Sequence, residues 1–133
     1  MDIKVQDILT RLDELPEKHR AAISTALSRY NKAKTIKNAK SDFLTFVKHA
    51  WPPFIEGPHH RIMGDKFNDI ASGKLKRLII NIAPRHGKSE LTSWLLPAWL
   101  LGQKSSRKLI AATHTTEFSQ RFGREVRNLI DSE

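Results

Sequence analysis

The stretch Leu78-Ile79-Ile80-Asn81-Ile82-Ala83-Pro84-Arg85-His86-Gly87-Lys88-Ser89 decides how the chain is read. Its first half is a short apolar run rich in β-branched residues, the composition of a buried parallel strand. Its second half is a loop, and a helical pattern follows from Lys88 to Leu101, with Gly102 as its natural stop and Pro97 as a kink. Strand, loop and helix in that order give the closing Gly-Lys-Ser a chemical meaning. Backbone N–H groups at a helix start point at an anion, and the helix dipole favours negative charge there. Gly87 leaves room for close approach, Lys88 reaches β- and γ-phosphates, and the Ser89 hydroxyl is a Mg²⁺ ligand. A bare Gly-Lys-Ser/Thr arises by chance on the order of 0.05–0.1 times in a chain this long, so the surrounding pattern carries the assignment. The first motif position holds Ile82 where Gly is usual. The competing reading is an ordinary strand-to-helix turn.

Downstream, Leu109-Ile110-Ala111-Ala112-Thr113 is a second strand candidate. Phe118, Phe122 and Val126, spaced i, i+4, i+8, with Leu129 and Ile130, mark a last helix. Strand, loop, helix, strand, helix predicts an α/β fold, the start of a P-loop NTPase parallel sheet with flanking helices and right-handed crossovers.

Upstream the pattern is helical. Ile3, Ile8, Leu9 and Leu12 lie at helix-like spacings, and Pro16 opens a second helix carrying Ile23, Ala26, Leu27 and Tyr30 on one side. From Lys18 to Ser41 seven basic residues (Lys18, Arg20, Arg29, Lys32, Lys34, Lys37, Lys40) stand without an acidic one. This is a solvated face or, alternatively, a DNA- or partner-binding arm. Ser41 is placed to cap a short helix with Phe43, Leu44, Phe46 and Val47, which Trp51-Pro52-Pro53-Phe54 ends. Pro58 opens another helix, with Met63, Phe67, Ile70 and Ala71 on one face and Gly73 as its stop. The expected division is a basic helical segment over 1–50 and an incomplete P-loop ATPase domain over 51–133.

Composition sets outer limits. The 133 residues include 23 Lys+Arg against 14 Asp+Glu, a net charge of +9, which suggests a polyanionic partner but fits nucleic acid, anionic lipid or simple solubility alike. There is no cysteine, which excludes disulfides, Cys–zinc sites and Cys nucleophiles. No apolar run is long enough for a membrane span and no signal-peptide layout opens the chain, so a soluble intracellular protein is expected.

The segment Leu78 to Glu90 resembles the deviant Walker A region of the large terminase subunits of tailed phages, the ATP-driven motors that package DNA into proheads. In that family the loop often reads Pro-Arg-x-Gly-Lys-Ser/Thr, and Arg85 matches the basic position. Trp51 to His60, Ala112 to Phe118 and Arg121 to Ile130 are similar to the family's flanking segments, so the likeness covers roughly residues 43–131. It implies that Pro84, Arg85, His86, Gly87, Lys88 and Ser89 bind ATP, with Ser89 on Mg²⁺ and Arg85 contacting or sensing the γ-phosphate. It places the His59–His60 region near the adenine, with His60 where many members have Gln. Read from the residues alone, that pair is an exposed helix start, and adjacent helical histidines do not form a metal site. The resemblance further implies double-stranded DNA, a small terminase subunit and a portal protein as partners. It implies a homo-oligomer on the prohead, no membrane association and the host cytoplasm as location.

One part of the pattern is missing. Hydrolysis in this class needs an apolar strand ending in Asp, for Mg²⁺, and Glu, for water activation. Glu117, Glu125, Asp131 and Glu133 lie on or after a helix instead, so the general base and the family's nuclease domain are absent from the sequence. The chain is read as the N-terminal portion of such a protein or a truncated copy, expected to bind Mg·ATP weakly or not at all and not to hydrolyse it. The alternatives are a basic DNA- or partner-binding module with a vestigial loop, and another P-loop motor such as a helicase-like ATPase. Trp94 and Trp99 are expected in the core, and Arg121, Arg124 and Arg127 as a solvated stripe, with a DNA, subunit or second-domain contact as the alternative.

Overall fold

The computed structural model describes residues 16–132. The first predicted helix, with Ile3, Ile8, Leu9 and Leu12, lies outside them. The chain divides into two compact units, Met1–Thr35 and Ile36–Glu133. The described part of the first unit belongs to α1 (Glu17–Ser41), which continues into the second. Along α1 apolar and basic residues are distributed around the whole circumference. Ile23 and Leu27 are half-buried, while Ala26 and Tyr30 are exposed.

The second unit is built from helices. They are α2 (Phe43–Ala50), α3 (Pro58–Ala71), a continuous helical run, and α6 (Thr116–Ile130). The run comprises α4 (Lys88–Glu90), a π-helical turn (Leu91–Leu95) and α5 (Leu96–Gln103). The widened turn has a local cause. Pro97 cannot donate to the Ser93 carbonyl, and its ring crowds that oxygen, so the helix opens one turn earlier and the Leu96 N–H bonds to the Leu91 oxygen instead. The kink expected at Pro97 takes this form.

The core gathers Phe43 and Val47 of α2, Met63 and Phe67 of α3, Leu91 and Leu95 of the π turn, and Trp99 and Leu100 of α5. Phe43 stands edge-on to both Phe67 (ring centroids 4.9 Å apart) and Trp99 (5.3 Å), the arrangement that aromatic quadrupoles favour. The Trp99 Nε1–H is buried but donates to the Ala39 carbonyl at 2.7 Å, so its one polar group is satisfied. The cap of α2 is Asp42 rather than the expected Ser41. Its carboxylate accepts from the Thr45 N–H (2.8 Å) and hydroxyl (2.7 Å), and it also accepts from Asn68 Nδ2 (2.9 Å). Asn68 Oδ1 in turn accepts the Phe43 N–H at 2.9 Å, which locks the start of α2 to α3. Asp42 outcompetes Ser41 because one carboxylate serves both the orphan amides of the helix and a neighbouring helix.

Gly64 of α3 packs against α2, where an added Cβ would lie 2.6 Å from Leu44 Cγ. Gly64→Ala is therefore expected to lower stability by about 1–3 kcal/mol through overpacking, as a fall in urea midpoint at unchanged m-value.

The predicted α/β sheet is not formed. Among the described residues there is no β-strand, and neither Leu78–Ala83 nor Leu109–Thr113 belongs to a ladder. Both are extended or irregular backbone between helices. A buried parallel strand needs both faces covered, and here each segment is covered at most on one. Leu78, Ile80 and Ile82 are half-buried beside α3, whereas Ile79 is 94% exposed. In the second segment Leu109 and Ile110 both face solvent, Ile110 at 99%. Two short runs, with no third strand among the described residues, make at best a marginal pair, and burial against helices wins. Among the described residues no helix is long and apolar enough to cross a membrane.

Candidate functional site

The loop between the extended segment and α4 has an unusual backbone. Arg85 is a non-glycine residue with positive φ (66°), and Gly87 follows in the left-handed region at φ 72°. For arginine that conformation costs about 1–2 kcal/mol relative to the right-handed one, so the surroundings hold the turn. Gly87 is the N-cap of α4, and its carbonyl accepts the Leu91 N–H at 2.9 Å. By helix geometry the amides ahead of Leu91 have no intrahelical acceptor. The widened helical run thus begins with free donors next to the side chains of Lys88 and Ser89.

A cleft of about 510 Å³ opens here, lined by Trp51, Ala83, Pro84, Arg85, Gly87, Lys88, Ser89 and Glu90. The structure thus brings five of the six loop residues singled out in the sequence to one cavity. Arg85 and Ser89 are exposed and Lys88 half-buried. His86 turns to the other side, where its Nδ1 lies 2.8 Å from the Pro84 carbonyl and its ring lies near His59. Three cleft residues, Ala83, Trp51 and Glu90, lie outside those six, and the last two bring groups that were not legible as site residues. Trp51 arrives from the turn after α2, and its ring meets Trp94 edge-on at 6.3 Å. Glu90 faces the cleft with its carboxylate accepting the Trp94 Nε1–H at 2.7 Å. Trp94 is accordingly half-buried, while Trp99 occupies the core as expected.

His60 is not an exposed helix start. It is 7% exposed and reaches across to the loop, with Nε2 3.2 Å from the His86 carbonyl and Nδ1 accepting the Gly57 N–H at 2.9 Å. Burial lowers its basicity from the ordinary imidazole value, and the neighbouring His59 and His86 act the same way. The His86 carbonyl and Glu56 oppose them without reversing the direction. The neutral form is thus favoured by folding. The stability it contributes is present above the unfolded-state value and is lost as pH falls through the lowered one. A thermal melt series from pH 7 to pH 5 is expected to show a falling Tm, with a shallower fall in His60→Gln.

Elsewhere Arg121, Arg124 and Arg127 are exposed on α6. Among the described residues no group of three or more His, Cys, Asp or Glu side chains is placed to hold a metal ion. No family model matches the chain, and no curated protein or solved structure is detectably similar to it.

Proposed function

We propose that residues 84–89 bind the phosphates of Mg·ATP, as the nucleotide-binding part of a DNA-packaging ATPase similar to the phage terminase large subunits. One observation carries the reading: a left-handed Gly87 precedes a helix that begins at Lys88, on the wall of the 510 Å³ cleft. The free amides of the first turn supply donors, Lys88 supplies charge to the β- and γ-phosphates, and the Ser89 hydroxyl supplies a Mg²⁺ ligand. Arg85 is exposed and lines the same cleft, and its guanidinium is assigned to the γ-phosphate. Glu90 lines the cleft, but its carboxylate is engaged by Trp94, so it is not assigned as the general base. Double-stranded DNA, a small subunit, a portal ring, assembly of several copies on a prohead and a host-cytoplasmic location belong to the same proposal. They rest on the resemblance over residues 43–131.

The test is competition at the cleft. Mg·ATP and inorganic triphosphate are expected to compete for one weak, saturable site, without release of phosphate, and adenosine is expected to have no effect. Adenosine binding as well as ATP, with triphosphate inert, would overturn the reading. The exposed lysines of α1 (Lys32, Lys34, Lys37) favour a second reading as a DNA-binding module. Its signature is salt-sensitive DNA binding that is lost on changing those three lysines and indifferent to Lys88.

A further inference from the structure

His60 has two ring nitrogens and both are committed inside the protein. Nδ1 accepts the Gly57 N–H at 2.9 Å, so it carries no proton. In a neutral ring the proton then sits on Nε2, the atom 3.2 Å from the His86 carbonyl oxygen, which it meets as a donor. One planar group therefore ties the turn before α3 to the loop before α4. The contact is tight at its far end too: a Cβ at Gly87 would lie 3.2 Å from His60 Nε2. The residues so braced are the ones that need bracing, because Arg85 and Gly87 on either side of His86 both hold positive φ. The ring is itself seated, 4.8 Å from the Phe54 ring and 3.8 Å from the His59 ring, centroid to centroid.

We propose that His60, as the Nε2–H tautomer, is the positioning residue of the 84–89 loop, bracketing it between the Gly57 amide and the His86 carbonyl. The bracket leaves His60 no nitrogen with which to recognise a base, in contrast to the adenine contact the resemblance implies for this position. Its consequence for phosphate affinity rests on the function proposed above; its consequence for the loop does not. His60→Gln retains an acceptor and a donor in one planar group, whereas His60→Leu removes both at similar bulk.

Three measurements on the full chain decide the matter. Long-range ¹H–¹⁵N correlation at pH 8 is expected to report His60 as the Nε2–H tautomer. Amide exchange at Gly57 and at Leu91, whose N–H bonds to the Gly87 carbonyl, is expected to quicken about tenfold in His60→Leu and to stay near wild type in His60→Gln. Inorganic triphosphate affinity is expected to follow the same order. An Nδ1–H tautomer, or unaltered exchange at both amides in a folded His60→Leu, would overturn the bracket. If His60→Leu does not fold, the tautomer and the behaviour of His60→Gln decide: exchange about tenfold faster in His60→Gln overturns the bracket. Should the wild-type chain fail to bind triphosphate while the tautomer and exchange results hold, the phosphate reading falls and the bracket stands.

Discussion

Lys88→Ala is expected to weaken inorganic triphosphate and Mg·ATP binding by about ten- to a hundredfold and to leave the chain at least as stable as before. A hydrogen bond to a charged partner is worth about 1.5–3 kcal/mol, and each 1.4 kcal/mol is about tenfold in affinity. Stability moves the other way because Lys88 is the first residue of α4, where a cation opposes the positive end of the helix dipole. Removing it relieves about 0.3–1 kcal/mol. The backbone role of the residue survives, since its carbonyl still accepts the Thr92 hydroxyl at 2.8 Å. Loss of binding together with an unchanged or raised Tm separates a ligand role from a structural one. An isotherm and a melt on the same sample check both.

Phe43→Ala is expected to cost about 3–5 kcal/mol, the range for truncating a buried aromatic. Phe43 is fully buried, its ring meets those of Phe67 and Trp99, and its amide is held by Asn68. Domains of this size hold about 5–15 kcal/mol in all, so a loss on that scale removes much of the folded population at 37 °C. Ile110, between α5 and α6, is the control. At 99% exposed it has almost no burial to lose, and its truncation to Ala is expected to stay within about 0.5 kcal/mol. Urea unfolding followed by tryptophan fluorescence reads both variants, since Trp99 reports directly on the Phe43 contact.

The helices were legible because their signals are local. Pro58 and Gly73 bracket α3, Phe118 to Ile130 repeat at helical spacing, and Pro97 announces the disturbance that becomes the π turn. The sheet was misread because a β-branched apolar run is a strand only when neighbouring strands satisfy its backbone and cover its faces. Leu78–Ala83 shows the difference. Alternate residues cover α3, while Ile79 points into solvent. The loop itself was legible as a motif, and the structure brings Pro84, Arg85, Gly87, Lys88 and Ser89 around one cleft. What the sequence could not reveal are contacts of long separation. His60 reaches His86 across 26 positions, and Trp51 joins the cleft from the turn after α2. Both sit near prolines and aromatics that mark a turn without saying what the turn touches. Glu90 could have been suspected from its place beside Ser89, but its engagement by Trp94 is a feature of helix packing.

The most direct test of the central claim is a titration of the ¹⁵N-labelled chain with inorganic triphosphate and Mg²⁺, following every backbone amide. Saturable shifts confined to residues 83–91 and Trp51 are expected, with affinity about ten- to a hundredfold weaker in Lys88→Ala. Shifts concentrated instead on α1 around Lys32, Lys34 and Lys37, with residues 83–91 unmoved, would contradict the claim and identify the basic helix as the anion-binding element of the chain.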